Sequence, residues 1–279
     1  MSVSKKIIII WDFDGPIGQI NATYPYNFNF DNFGEEINNV NYLLGFLEKK
    51  NIKTCFAITG FSAEKGVFPY NFPYLIRKIS TDGHEVASHS WRHEWAPVFR
   101  KDQIKRSLKR SKEVLEKAIY PNKVVGFVPP HNRPMSWIKR GAFSLGDRGL
   151  YPFFKTGDMT TVLKLLKTND YKWIRVSYKN LFQKLGFSKR ILTGRVKKFN
   201  NLVVLENHYN GFDQLVINEI LNSNREHYIV SAHPLMLSRP YKVESKENFE
   251  KFIDQILNSN QDIQFILPKD IINKSVFNK

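Results

Sequence analysis

One cysteine, Cys55, stands in 279 residues. No internal disulfide can form and a four-cysteine zinc site is excluded; within its apolar run Cys55 reads as a small core residue. Long hydrophobic runs are absent, so no segment suits a bilayer span. The four isoleucines after Lys5 and Lys6 are too short for a secretory core segment and no small-residue cleavage site follows them, which predicts a cytoplasmic protein. Acidic residues are scarce: 26 Asp and Glu face 42 Lys and Arg, a net charge of +16. The chain has no finger, no RNP-type run and no basic-aromatic repeat, so no nucleic-acid partner is expected. The positive charge is expected on solvated helix faces, where it also draws in phosphorylated substrates or an anionic membrane surface. Oligomeric state leaves no trace in the sequence.

With 42% hydrophobic residues the chain can bury a large core. Strand-like and helix-like patterns alternate nearly end to end. Lys6–Phe13, Lys53–Gly60, His84–His89, Val124–Val128, Tyr171–Tyr178, Asn201–Glu206, Tyr228–His233 and Ile263–Leu267 read as strands. Helical spacing of apolar residues marks Phe30–Lys49, Tyr74–Ile79, a helix capped by Asp102 and running to about Ile119, and Phe249–Leu257. Gly60–Pro73 reads as a loop and Leu181–Arg195 as a basic insertion. No linker and no internal repeat interrupts this order, which predicts one α/β domain over residues 1–279, an irregular (β/α) barrel of about seven parallel strands.

Chemistry-bearing residues gather where these strands end. The first strand, Lys6–Phe13, runs through Asp12-Phe13-Asp14 into a Gly15-Pro16 turn, and alternation sends Asp12 and Asp14 to one side. Unpaired buried carboxylates are costly, so two together at a strand's carboxyl end point to a ligand. His89 and His93 follow the third strand and share a face if the chain turns helical there; two imidazoles suit a borderline metal, although two histidines four apart also arise by chance. Glu206 and His208 end another strand without an assignable role, and Tyr228–Ala232 closes on His233-Pro234.

The run Gly83-His84-Glu85-Val86-Ala87-Ser88-His89-Ser90-Trp91-Arg92-His93 resembles the second motif of the polysaccharide deacetylases, the metal-dependent carbohydrate esterases of the NodB type. The resemblance implies His89 and His93 as metal ligands. Asp12-Phe13-Asp14-Gly15 is similar to the Asp-x-Asp-Gly form of the first motif, with Asp14 as third ligand and Asp12 as base, although Phe13 stands where the common pattern has its base. The same run is similar to the start of the haloacid-dehalogenase-type phosphatases and to the Asp-x-Asp of glycosyltransferases. Neither accounts for the two histidines. Phe127-Val128-Pro129-Pro130-His131-Asn132-Arg133-Pro134 resembles the third motif with its Arg replaced by Val128. It implies Pro130, His131 and Arg133 as substrate-binding residues, with Arg133 a substitute for the missing Arg. The run around His233 resembles the fifth motif, whose histidine is the general acid. No counterpart of the fourth motif's acidic residue is evident near Tyr171–Tyr178.

The resemblance implies removal of an N-acyl group, acetyl above all, from an amino sugar by one divalent metal, zinc by default, with iron, cobalt or nickel equally suited to the donors. A cytoplasmic chain of this charge is expected to act on a surface-polysaccharide precursor, nucleotide- or polyprenyl-phosphate-linked, with peripheral membrane contact. The alternatives are an allantoinase-like cyclic-amide hydrolase, a haloacid-dehalogenase-type phosphatase, and an inactive sugar-binding homologue.

Overall fold

A computed structural model of the chain describes residues 4–22, 28–94, 100–130, 142–144, 151–153, 159–176, 196–199, 201–206 and 209–273. Its first strand, β1 (Lys5–Phe13), is buried along nearly its whole length, which is why a β-branched run rather than a polar-apolar alternation encodes it. Helix α1 (Gly15–Ala22) follows at once, then α2 (Asp31–Lys49), β2 (Cys55–Ile58), α3 (Pro73–Thr81), β3 (Glu85–Ser88), α4 (Lys101–Ala118) and β4 (Gly126–Phe127). A separate antiparallel pair, β5 (Ala142–Ser144) and β6 (Tyr151–Phe153), precedes α5 (Met159–Thr168) and β7 (Trp173–Val176). The chain continues through β8 (Val196–Phe199), β9 (Leu202–Glu206), β10 (Tyr209–Asn210), α6 (Gln214–Asn222), β11 (His227–Ala232), α7 (Lys246–Leu257), β12 (Ile263–Phe265) and α8 (Pro268–Asn273).

Ten of these strands form one curled sheet in the order β10-β11-β1-β2-β3-β4-β7-β9-β8, with β12 beside the first half of β1. Every pairing is parallel except that of β8 with β9. This is the expected α/β architecture with helices outside, curled into a half-barrel, and seven parallel strands, β11 to β9, make its wall.

Strand pleating sorts the core into two sides. Ile7, Ile9, Trp11 and Phe13 of β1 point outward into the helix layer with Val40, Leu44, Phe56 and Phe249. Ile8 and Ile10 point inward with Cys55, Ala57, Ala87, Val128, Trp173 and Ile229. The small residues on the inner face let the curled wall close tightly around the larger ones.

Three local expectations change. Gly15-Pro16 opens the eight-residue α1 rather than a bare turn, because proline fits the first turn of a helix, where its missing N–H costs nothing. Asp102 lies inside α4, not at its cap: Arg100 precedes the helix, its N–H donates to Gln103 Oε1 (2.9 Å), and Asp102 pairs with Arg106 (3.0 Å). The strand read as Val124–Val128 is paired only over Gly126–Phe127. Leu181–Arg195 lies outside the described residues.

Candidate metal centre and active site

The inward parity of the strands carries polar residues as well as apolar ones. Continuing from Ile8 and Ile10, the next inward position on β1 is Asp12, and Asp14 follows just past its end. The same parity gives Glu85, Ala87 and then His89 on β3, Trp173 and Arg175 on β7, and Ile229, Ser231 and then His233 on β11. The carboxyl ends of four strands thus deliver Asp12, Asp14, His89, Arg175 and His233 to one opening.

Asp14, His89 and His93 converge there, with one ligand atom of each lying within 4.8 Å of the others. Asp14 Oδ1 is 3.2 Å from His89 Nε2 and 3.4 Å from His93 Nε2, and among the described residues no donor in hydrogen-bonding geometry satisfies this buried oxygen. Ligands at about 2.0–2.1 Å around a tetrahedral zinc stand roughly 3.3–3.4 Å apart, so these separations match the edges of such a polyhedron. His89 Nδ1 lies 2.8 Å from the Val128 carbonyl. The Nδ1–H donates to it, which fixes the ring and leaves the Nε2 lone pair facing Asp14, as in histidines that bind a metal through Nε2. Burial would raise the Asp14 pKa; His93 and His89 outweigh it and hold the carboxyl well below its ordinary range. The donor set therefore fits a divalent cation.

His93 reaches this cluster through a turn, not through the helix on which a shared face was expected. Ser90 (φ 63°) and His93 (φ 62°) both take the left-handed conformation, uncommon outside glycine. The strained turn is held from several sides. Gly60 N donates to Ser90 O (2.9 Å), Phe61 N to Trp91 O (2.8 Å), Ser111 Oγ to Ser90 O (2.9 Å) and Glu94 N to Ser90 Oγ (2.9 Å). A side chain at Gly60 would sit 2.6 Å from Ser111 Cα, so only glycine lets α4 come close enough to brace the turn. At Gly18 an added Cβ would lie 2.7 Å from Asp14 Cβ, which keeps α1 against the cluster. Thr59 Oγ1 donates to the Asp14 carbonyl (3.0 Å).

Asp12 lies beside this centre, buried, with both oxygens held by Arg175: Nη1 to Oδ1 at 2.7 Å and Nη2 to Oδ2 at 2.6 Å. Burial alone would raise its pKa; the guanidinium, with lesser help from His89 and His233, lowers it. His233 Nε2 is 3.9 Å from Asp12 Oδ2, while Glu244 accepts from both the His233 ring Nδ1 (3.1 Å) and its backbone N–H (2.8 Å). Desolvation opposes the imidazolium, but Glu244, then Asp12 and Asp14, push its pKa up to about 10. A fourth carboxyl, Glu36 of α2, is buried behind Asp14 and accepts from Gly15 N (3.0 Å) and Gln19 Nε2 (2.8 Å). Burial and the nearby Asp14 push it up to about 8, so it is neutral at pH 7.

This geometry stands beside a family match. Residues 26–146 fit the family model described as "Polysaccharide deacetylase". Residues 26–146 are thus similar to a polysaccharide deacetylase domain. A peptidoglycan-N-acetylglucosamine deacetylase of Bacillus cereus is 26% identical over 115 residues, which make up 39% of this chain and 37% of that protein. The chain thus matches little more than a third of that curated relative's length. Among solved structures, a proposed polysaccharide deacetylase of Mycobacterium smegmatis superposes with a TM-score of 0.67 at 16% identity, covering 98% of this chain and 90% of that one. The PuuE allantoinase superposes with a TM-score of 0.61 at 11% identity, covering 97% and 90%. At these identities the structural likeness speaks for the fold, which is the deacetylase (β/α) barrel.

The matched segment, residues 26–146, contains His89, His93 and Pro130 but neither Asp12 and Asp14 nor His233, so the barrel itself is what brings the two sets together. Pro130 is buried just past β4. His131 and Arg133 lie outside the described residues, as does His208. The guanidinium beside Asp12 belongs to Arg175, not to the expected substitute Arg133. Glu206 pairs with Lys197. Arg175, Glu244 and Glu36 were not anticipated. Arg175 carried a signal: a lone cation in an apolar strand, two positions from inward-facing Trp173, must find a buried anion.

Proposed function

We propose that this chain is a metal-dependent amide hydrolase that removes an N-acyl group, acetyl in the first instance, from an amino sugar. The observation that supports it is the meeting of three ligand-type side chains with two groups of opposite proton affinity, Asp12 and His233, at one opening. In this reading Asp14, His89 and His93 hold one divalent ion. Such an ion supplies Lewis-acid polarisation of the amide carbonyl and acidifies its water; zinc is the default, with iron, cobalt and nickel compatible with the same donors.

The protein's own groups do the rest. Asp12, kept ionised by Arg175, accepts the proton of the attacking water. His233, kept protonated by Glu244, gives its proton to the departing nitrogen as the C–N bond breaks, so water is consumed and a carboxylate and an amine are released. Environments that push two titratable groups apart in pKa are the usual mark of such a division of labour. In this reading Pro130, His131 and Arg133 bind the substrate, the role that the resemblance to the third motif implies for them.

A phosphatase reading fits less well, because a carboxylate with both oxygens taken by Arg175 is poorly placed to accept a phosphoryl group. We read residues 1–279 as one barrel domain in the cytoplasm. The substrate is read as a surface-polysaccharide precursor, nucleotide- or polyprenyl-phosphate-linked, whose phosphates suit a net charge of +16. Metal-loaded protein incubated with UDP-N-acetyl sugars, N-acetylated oligosaccharides and cyclic amides, with release of acetate or ring opening assayed, tests this. Release of acetate that a chelator abolishes is the expected result. Turnover confined to the cyclic amides would transfer the assignment to an allantoinase-like hydrolase. Sugar binding without turnover on any of them would mark an inactive homologue.

A further inference from the structure

Four large apolar side chains stand open to solvent around one side of the barrel mouth: Phe30 (64% exposed), Val67 (73%), Phe68 (66%) and Tyr74 (86%). They are physically connected. Phe30 packs on Phe33 (5.4 Å between ring centres), Phe33 meets Tyr70 (5.8 Å), and Tyr70 shares with Val67 and Phe68 the turn that Asn71 N closes on the Val67 carbonyl (3.1 Å). Phe68 and Tyr74 then line a groove of about 840 Å³ with Ile37, Phe72, Lys65 and Lys78. The patch lies at the end of the sheet that carries the metal centre: Val67 and Phe68 belong to the segment that follows β2 at the strands' carboxyl ends, and Phe72 in that segment stacks on Phe13 (4.9 Å, 16°) within the helix layer.

Charge around this patch is one-sided. The acids near it are mostly spent: Glu35 on Arg239 (2.8 Å), Glu64 on Arg110 (3.0 Å) and Asp82 on Lys78 (2.7 Å). The groove itself is lined by three cations, Lys65, Arg77 and Lys78, and by no acid, and Arg77 gives its Nε–H to the Ala118 carbonyl. Aromatic and aliphatic tips that protrude from a turn, with cations at their base, match the headgroup layer of an anionic bilayer, where rings sink to the acyl boundary and lysines meet phosphates.

We infer that the Phe30–Val67–Phe68–Tyr74 surface docks on an anionic lipid bilayer, setting the metal centre over substrate carried on a lipid phosphate. Only the substrate clause rests on the hydrolase reading, because docking is measured without turnover.

Flotation of the metal-loaded full chain with phosphatidylcholine vesicles, with and without phosphatidylglycerol, tests it. Binding is expected only to the anionic vesicles and weakens as salt rises. The Val67→Ser/Phe68→Ser double variant, altered at exposed positions, is expected to bind at least about tenfold more weakly, while its melting temperature and its turnover of a soluble substrate stay at wild-type values. Wild-type protein that fails to float, or a double variant that floats as well as wild type, would overturn the proposal. So would a wild-type dimer, seen by sedimentation velocity, that the double substitution dissociates, since a second copy would then be what covers the patch. If docking holds and acetate release fails on every substrate, the surface stands and the hydrolase reading falls.

Discussion

Two buried carboxylates in the same sheet meet opposite fates. Asp12, at the carboxyl end of β1, faces a guanidinium and is held ionised. Glu85, at the start of β3, has no ion pair among the described residues and is bonded by two neutral donors: the Trp173 indole N–H (2.8 Å) and the Lys269 backbone N–H (2.9 Å). Those two bonds lower its pKa, but burial outweighs them and pushes it up to about 7. Both carboxylates are fully enclosed, so the difference lies in the partner: a formal charge compensates desolvation where two neutral donors do not. Asp12 thus keeps its charge at the functional end, and Glu85 sheds its own at the opposite end.

The largest effect expected at the charged end is loss of the cation. His89→Ala or Asp14→Ala should drop bound metal by elemental analysis to background and turnover by at least about a thousandfold. Metal retained in either variant would detach the cluster from the chemistry. Next comes the ion pair itself. Arg175→Met strands Asp12 as a buried unpaired charge and should cost about 3–5 kcal/mol in urea unfolding at pH 7, and the Asp12→Asn/Arg175→Met pair should recover much of it. Because the folded Asp12 pKa is lowered, the wild-type advantage is present above the unfolded carboxyl's pKa and fades as the pH falls through the folded value.

Glu85 supplies the opposite sign. Its folded pKa is raised from 4.5 to about 7, so between those values the unfolded chain ionises first and wild-type stability declines as pH rises, levelling above pH 7. The decline should amount to about 3 kcal/mol. Glu85→Gln, whose amide cannot accept from both N–H groups, should start less stable at pH 5 yet remain flat to pH 8 in a thermal-melt series. A parallel decline in both proteins would remove the contrast with Asp12. The smallest effect sharpens the functional end alone. Glu244→Gln removes the carboxylate that does most to raise His233, so turnover should fall about tenfold and the alkaline limb of its pH profile move to lower pH. An unmoved limb would free His233 from its proposed role.

Much of this site was legible before any coordinates. Asp12, Asp14, His89, His93 and His233 all sit where a strand pattern stops, and a parallel sheet puts such positions at one end. Their partners were not legible for reasons of distance. Arg175 lies 163 residues from Asp12 and Trp173 lies 88 residues from Glu85, so no local window contains either pair. Glu244 lies beyond the turn after His233 and Glu36 in a helix whose other inward residues are apolar, where a buried acid looks like part of the solvated face. The turn at 90–93 was misread because left-handed Ser90 and His93 are not encoded by turn residues; contacts from Gly60, Phe61 and Ser111 impose them.

By itself the amino-acid order determined which residues would point into the barrel, because pleating turns every second side chain the same way and the apolar runs mark where each strand begins and stops. It also determined the donor chemistry, two imidazoles and a carboxylate, and hence the kind of ion they suit. Which inward residues share a layer was decided only in three dimensions. Strand order and stagger set Asp12 level with Arg175 and Glu85 level with Trp173, and a buried carboxyl takes its charge state from whatever stands across from it.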